Sequence, residues 1–223
     1  MTPQPPPDTA LVPFLDEFAP LRPVALVPGV HAFTAHSLVE VWEAAERLAG
    51  TSLASPFWAF PWPAGIALAA LISERPGLVA GKSVIDVGAG GGVSCIACVL
   101  SGARRVVGCD TDPWALAVTR IAARRQGLEI ETSAADATAD PQLLDPFDVV
   151  LCGDLAYSRS DAPRERAALQ RAANRGATVI VADAGRKYFD PAGFEEIASY
   201  SIEVVADVEG CAVREARVYR MTP

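Results

Sequence analysis

Histidine is nearly missing from this sequence: its 223 residues include two, His31 and His36, both in the N-terminal part. Proton shuttling through imidazole and imidazole-ligated metal centres have little to build on. Basic blocks are missing too. The formal net charge is -8, which argues against nucleic acid or an anionic membrane as a partner. The longest uncharged apolar stretch, 56–72, has 17 residues, and Pro56, Pro61 and Pro63 break its first half. It falls short of a membrane span and reads as a loop feeding a buried helix. No arginine precedes Arg22, and no basic region leads into a clean apolar run; neither a mitochondrial transit peptide nor a secretory signal is expected. The five cysteines are an odd number in apolar surroundings, and the Cys95/Cys98 pair has no second pair or histidine beside it. Reduced, packed thiols in a cytoplasmic protein are expected, with no metal site.

Half the residues are apolar and a fifth charged, the profile of one folded domain. Residues 1–13 are proline-rich and expected to be disordered. Residues 14–80 are expected to form a helical extension. Within it, Ser37 caps a helix that Gly50 ends, and an aromatic, proline-rich loop (SPFWAFPWP) leads into a second helix, AGIALAALISERP. From 81 to 223, β-branched runs (KSVIDVG, RRVVGCD, LEIETSAAD, DPFDVVLCGD, ATVIVADAG) alternate with helical stretches (GGVSCIACVLSG, DPWALAVTRIAARRQG, RERAALQRAANRG). A short helix, PAGFEEIASY, is expected before two last strands, IEVVADVE and CAVREARVYRM, joined by a turn at Glu209-Gly210. The alternation predicts an α/β fold. A doubly wound, mostly parallel seven-stranded sheet would carry helices on both faces and an antiparallel hairpin at its C-terminal end.

In such a sheet, ligands lie beyond the carboxyl ends of the strands. The first strand of this region runs through Asp86 into Gly88, Gly90, Gly91 and Gly92. A dinucleotide fingerprint begun at Gly88 would need glycine where Val93 stands. The spacing is instead D-x-G-x-G-x-G, which resembles motif I of class I S-adenosylmethionine-dependent methyltransferases. Asp110 ends the next strand, 22 residues after Gly88, where a carboxylate accepts hydrogen bonds from ribose hydroxyls. Asp136 follows the third strand, where an acid can receive an adenine amine. Each acid alone could be a turn residue; together they point to a nucleoside site.

Four stretches extend the resemblance from about Glu40 to Phe189: PFWAFPWPAGIALA, GKSVIDVGAGGGVSCIACVLSGARRVVGCDTDPWA, FDVVLCGDLAYS and ADAGRKYF. They resemble family-16 class I methyltransferases, and within them the lysine methyltransferases of the electron transfer flavoprotein β subunit and their bacterial relatives. That resemblance implies an S-adenosylmethionine-dependent protein-lysine N-methyltransferase. Trp62, Asp86, Gly88, Ala89, Gly90, Gly92, Asp110, Thr111, Asp136 and Gly153 would bind the cofactor; Asp154 and Tyr157 would be catalytic. A protein presenting a lysine is the implied partner, with the enzyme as a monomer. The family pattern is broken at Ala156, Ser158 and Ala184, all near where substrate enters.

A free lysine amine has a pKa of about 10.4 and must lose its proton before it attacks. Asp154 is expected to hold and aim that amine, although a carboxylate also raises the amine's pKa. Tyr157 would wall the channel, Trp62 would cover the cofactor, and Trp58 and Phe60 would rim the channel or pack the core. Arg186 would meet an acid of the substrate or stay solvated. The rival readings are a small-molecule amine methyltransferase, a non-catalytic cofactor-binding module and an NAD-linked oxidoreductase. The last lacks a hydride-site histidine or Tyr-x-x-x-Lys pair.

Overall fold

The computed structural model describes residues 3–154 and 158–222. Its core is a seven-stranded sheet of β3 (Ser83–Val87), β4 (Arg105–Cys109), β5 (Glu131–Ser133), β6 (Val149–Gly153), β7 (Thr178–Asp183), β8 (Phe194–Glu203) and β9 (Val213–Met221), in the order β5-β4-β3-β6-β7-β9-β8. All pairings are parallel except the two made by β9, which enters antiparallel between β7 and β8. The doubly wound sheet and its C-terminal hairpin are as expected. Strand order reverses between β3 and β6, which opens a crevice above their carboxyl ends.

Side chains alternate across the sheet. Val84, Val149, Leu151 and Ile180 face one apolar cluster; Ile85, Val87, Val150, Cys152, Val179 and Val181 face the other. The first cluster takes α3 (Pro63–Glu74), α4 (Val93–Leu100) and α5 (Pro113–Arg125). The second takes α6 (Ala162–Asn174) through Ala168, Leu169, Ala172 and Ala173. α3 is buried nearly all round, as its uninterrupted apolar sequence requires.

The N-terminal region differs from expectation. The proline-rich start carries α1 (Asp8–Phe18), despite Pro13 inside it. Its buried face of Leu11, Phe14 and Leu15 supplies the reason: Phe14 meets Trp58 edge-on at 6.3 Å and Trp114 at 6.4 Å, and those two indoles stack at 5.7 Å. Packing of this kind outweighs the poor helix propensity of the segment. A small antiparallel sheet of β1 (Leu21–Pro23) and β2 (His31–Phe33) follows, within what reads as helix and loop. α2 (Leu38–Ala49) begins where the Ser37 hydroxyl accepts the Glu40 amide and ends at left-handed Gly50, as expected.

The C-terminal third also differs. The segment expected as a short helix, PAGFEEIASY, becomes the start of β8, which pairs along β9 from Phe194↔Met221 to Glu203↔Val213. The expected strand IEVVADVE stops at Glu203, and Ala206–Glu209 forms one turn of helix, α7. Among the described residues, no helix is long and apolar enough to cross a membrane, and no group of three or more histidine, cysteine or acidic side chains could hold a metal ion.

Candidate active site

The glycine turn after β3 is built by close approach. The amide of Gly90 donates to Oδ2 of Asp110 at 2.9 Å, and the hydroxyl of Thr119 donates to the carbonyl of Gly90 at 2.9 Å. Gly92 sits at φ +81°, where a Cβ would lie 2.7 Å from Thr119 Cγ2. Only glycine fits there. Gly92 packs against Thr119 of α5 and is not among the residues lining the crevice. Gly91 does line it, and a Cβ there would lie 2.9 Å from the Trp58 carbonyl oxygen.

The turn borders a cavity of about 400 Å³, within the range of a small-molecule site. Among the described residues, five acids line it (Asp86, Asp110, Asp136, Asp154 and Glu165) against one cation, Arg164. Asp86 is 2% exposed on β3 and accepts hydrogen bonds from the Ser94 hydroxyl and, at 3.4 Å, from the Cys95 thiol. Burial pushes its carboxyl up to about 6, against the lowering effect of those bonds. Burial also raises Asp110, opposed by the amides of Asp112 and Gly90. Oδ1 of Asp136 is taken by Thr138 and by the Ala139 amide, while Oδ2 lies 3.4 Å from Arg164. Trp62 stands at the rim, its indole N–H donating to the Phe57 carbonyl at 2.7 Å.

Residues 84–176, from β3 through α6, match the family model described as a methyltransferase domain. The chain is 36% identical over 136 residues to the electron transfer flavoprotein beta subunit lysine methyltransferase of Danio rerio, a match covering 60% of this chain and 52% of that protein. It is 29% identical over 182 residues to the Homo sapiens protein of the same name, covering 75% and 66%. The chain thus spans about half the length of the first of these relatives. In three dimensions it is similar to TrmN from Thermus thermophilus, with a TM-score of 0.53 and 20% identity over 70% of this chain and 48% of that one. That likeness bears on the fold alone.

Around the cavity, most residues singled out in the sequence do meet. Trp62, Asp86, Gly88, Ala89, Gly90, Asp110, Thr111, Asp136, Gly153 and Asp154 all line the cavity. Tyr157 and Ala156 lie outside the described residues. Ser94, Ala137, Thr138 and Glu165 also line it and were not singled out. Ser94 alone carries a signal, lying one turn into the helix after the glycines. Trp58 is 3% exposed and belongs to the core, whereas Phe60 lines the cavity.

Asp154 closes the β6 side. It is 5% exposed and adopts φ +50°, a conformation open to few residues other than glycine, asparagine and aspartate. Its Oδ2 accepts the Ala64 amide at 3.2 Å, capping the start of α3, and its Oδ1 accepts Nε of Arg186 at 2.7 Å. Arg186 is therefore not a solvated loop residue. It also pairs with Glu209 at 2.9 Å and lies 5.7 Å over the Trp62 ring.

Proposed function

We propose that the chain is an S-adenosylmethionine-dependent N-methyltransferase acting on protein lysine, with the electron transfer flavoprotein β subunit as its substrate. The observation carrying this reading is the acidic cavity on the glycine turn. A ligand with sulfonium and ammonium charges suits five acids and one arginine. The diphosphate of a nicotinamide dinucleotide does not, since a diphosphate site presents amides and cations. The names of the relatives support the choice of lysine, and of a protein over a small amine.

When bound, S-adenosylmethionine would supply an electrophilic methyl carbon: the lysine amine, its proton already lost to solvent, would form the N–C bond as the C–S bond breaks and leaves its electron pair on sulfur, and the product would carry its charge as a methylammonium. Asp86 would hold the ammonium of the methionine part, directly or through water. Asp110 would bind the ribose hydroxyls through the lone pairs left by its two amide donors. Asp136 would reach the adenine amine through Oδ2, with Thr111 and Gly153 completing the walls and Trp62 covering the opening. The amides of Gly88 and Ala89 donate to the Cys109 carbonyl and that of Gly90 to Asp110, so the turn would offer the ligand close backbone with no side chain larger than methyl in the way, not free amides. Asp154 would accept a hydrogen bond from the incoming lysine and aim its lone pair, so that most of the rate comes from alignment. Tyr157 would wall the lysine channel. A cytoplasmic monomer is the proposed working form.

Calorimetry with S-adenosylhomocysteine and NADH tests the cofactor, and transfer of a labelled methyl group to purified β subunit tests the substrate. Binding of S-adenosylhomocysteine alone, followed by labelling of one or a few lysines, is expected. Binding of NADH alone would overturn the reading.

A further inference from the structure

Behind Asp154 stands a row of alternating charges that methyl transfer by positioning does not require. Asp154 pairs with Arg186 at 2.7 Å, Arg186 with Glu209 at 2.9 Å, and Glu209 with Arg214 at 3.0 Å. The side chains of Asp154, Arg186 and Glu209 are 6, 16 and 4% exposed, and Arg214 is the outermost at 33%. The row crosses four elements: the end of β6, the loop after β7, α7 and β9. The pairs of Arg186 with Asp154 and with Glu209 join segments 32 and 23 residues apart, so that part of the row belongs to the fold and not to a local turn.

Exposed ion pairs contribute little, but pairs this enclosed are felt through a poorly screening medium. Removing one member leaves its partner's charge uncompensated. Among the described residues, Asp154 also meets the amide end of α3 at Ala64 and the charge of Asp183 on β7, and it shares the cavity lining with Glu165 and Arg164 on α6 and with Asp86 and Asp110. Most of these are acids. Without Arg186, the β6 side would add a further full negative charge to them.

We propose that Arg186, held by Glu209, is a positioning residue that offsets the charge of Asp154. Asp154 then stays available as a hydrogen-bond acceptor without drawing a proton onto the incoming amine. This resolves the conflict between aiming the amine and raising its pKa. The inference rests on the proposed methyltransferase reading of the site.

The test compares the affinities of S-adenosylmethionine and S-adenosylhomocysteine, ligands that differ by a methyl group and its positive charge. Calorimetry on wild type, Arg186→Gln, Arg186→Lys and Glu209→Gln reads the local potential without any protein substrate. Arg186→Gln should raise the preference for the charged ligand by about threefold or more, the scale of a partly screened charge. Glu209→Gln should lower it, and Arg186→Lys should return it toward wild type. Equal weakening of both ligands in Arg186→Gln and Glu209→Gln would mark the row as a structural staple and overturn the inference. A wild type that binds neither ligand would instead sink the methyltransferase reading, and the inference with it. Circular dichroism of each variant separates loss of fold from loss of charge.

Discussion

Oδ2 of Asp110 receives the amide of Gly90 at 2.9 Å, so the acid that ends β4 also braces the glycine turn that follows β3. One carboxylate therefore shapes the turn and offers its remaining lone pairs to a ligand. Asp110→Ala removes both contributions, while Asp110→Asn keeps an acceptor for Gly90. Loss of charge-assisted bonds of this kind amounts to about 1.5–3 kcal/mol. Asp110→Ala is expected to weaken S-adenosylhomocysteine binding at least about tenfold by calorimetry, and Asp110→Asn to weaken it less.

Asp86 should make binding depend on pH. Its carboxyl is pushed up to about 6 by burial. In the ligand-free protein the ionised form is disfavoured, so this group adds native stability as pH falls through about 6 toward the ordinary aspartate range near 4. A bound ammonium needs the ionised form. Affinity for S-adenosylhomocysteine should be flat above about pH 7 and fall up to about tenfold per unit below 6. Asp86→Asn should bind weakly at every pH with that slope gone. An unchanged slope in the variant would remove Asp86 from the ammonium site.

Gly92→Ala tests the turn itself. A Cβ there meets Thr119 Cγ2 at 2.7 Å in a backbone conformation of φ +81°. Thermal unfolding should show a loss of about 1–3 kcal/mol. Adding Thr119→Ser deletes the clashing methyl group and keeps a hydroxyl for the Gly90 carbonyl. The double variant should recover only part of the loss, because the strained φ persists and the Oγ kept at position 119 would still lie 2.9 Å from the new Cβ.

Asp154→Asn separates the proposed chemistry from architecture. Asparagine tolerates φ +50° and can still accept the Ala64 amide, so the cap on α3 is kept. Turnover on the β subunit should fall at least about tenfold, with S-adenosylhomocysteine affinity within about twofold of wild type. Parallel loss of both would place Asp154 in cofactor binding and not at the amine.

The central sheet was legible because its signals are local. Asp86, the glycines and the β-branched runs specify strand, turn and helix within a few residues, and the spacing of Asp110 and Asp136 follows from the repeat of the βα units. What escaped is long-range. In β8, Phe194 and Ile197 stand at helical spacing after a Pro-Ala-Gly start, and only pairing with β9 makes the segment extended. α1 has a proline in its middle and is fixed by contacts with Trp58 and Trp114, far along the chain. The partner of Asp154 is in plain view as Arg186, but nothing near either residue signals that they meet, nor that Glu209 holds the arginine from the far side of the hairpin.

The placement of β9 between β7 and β8 bears on how the chain is made. Synthesis delivers β7, which can pair with β6 at once, and then β8, yet the outer edge of β7 and the whole of β8 wait for residues 213–221 to emerge. Until then the outer edge of β7 presents unpaired amides and carbonyls, and β8 has no partner strand. Such an edge invites pairing with another chain. The Arg186 loop leaves β7, and Glu209 and Arg214 arrive only with the late segment, so the charges around Asp154 come together last. A nascent chain could already hold its glycine turn while the opposite wall of the cavity had yet to form.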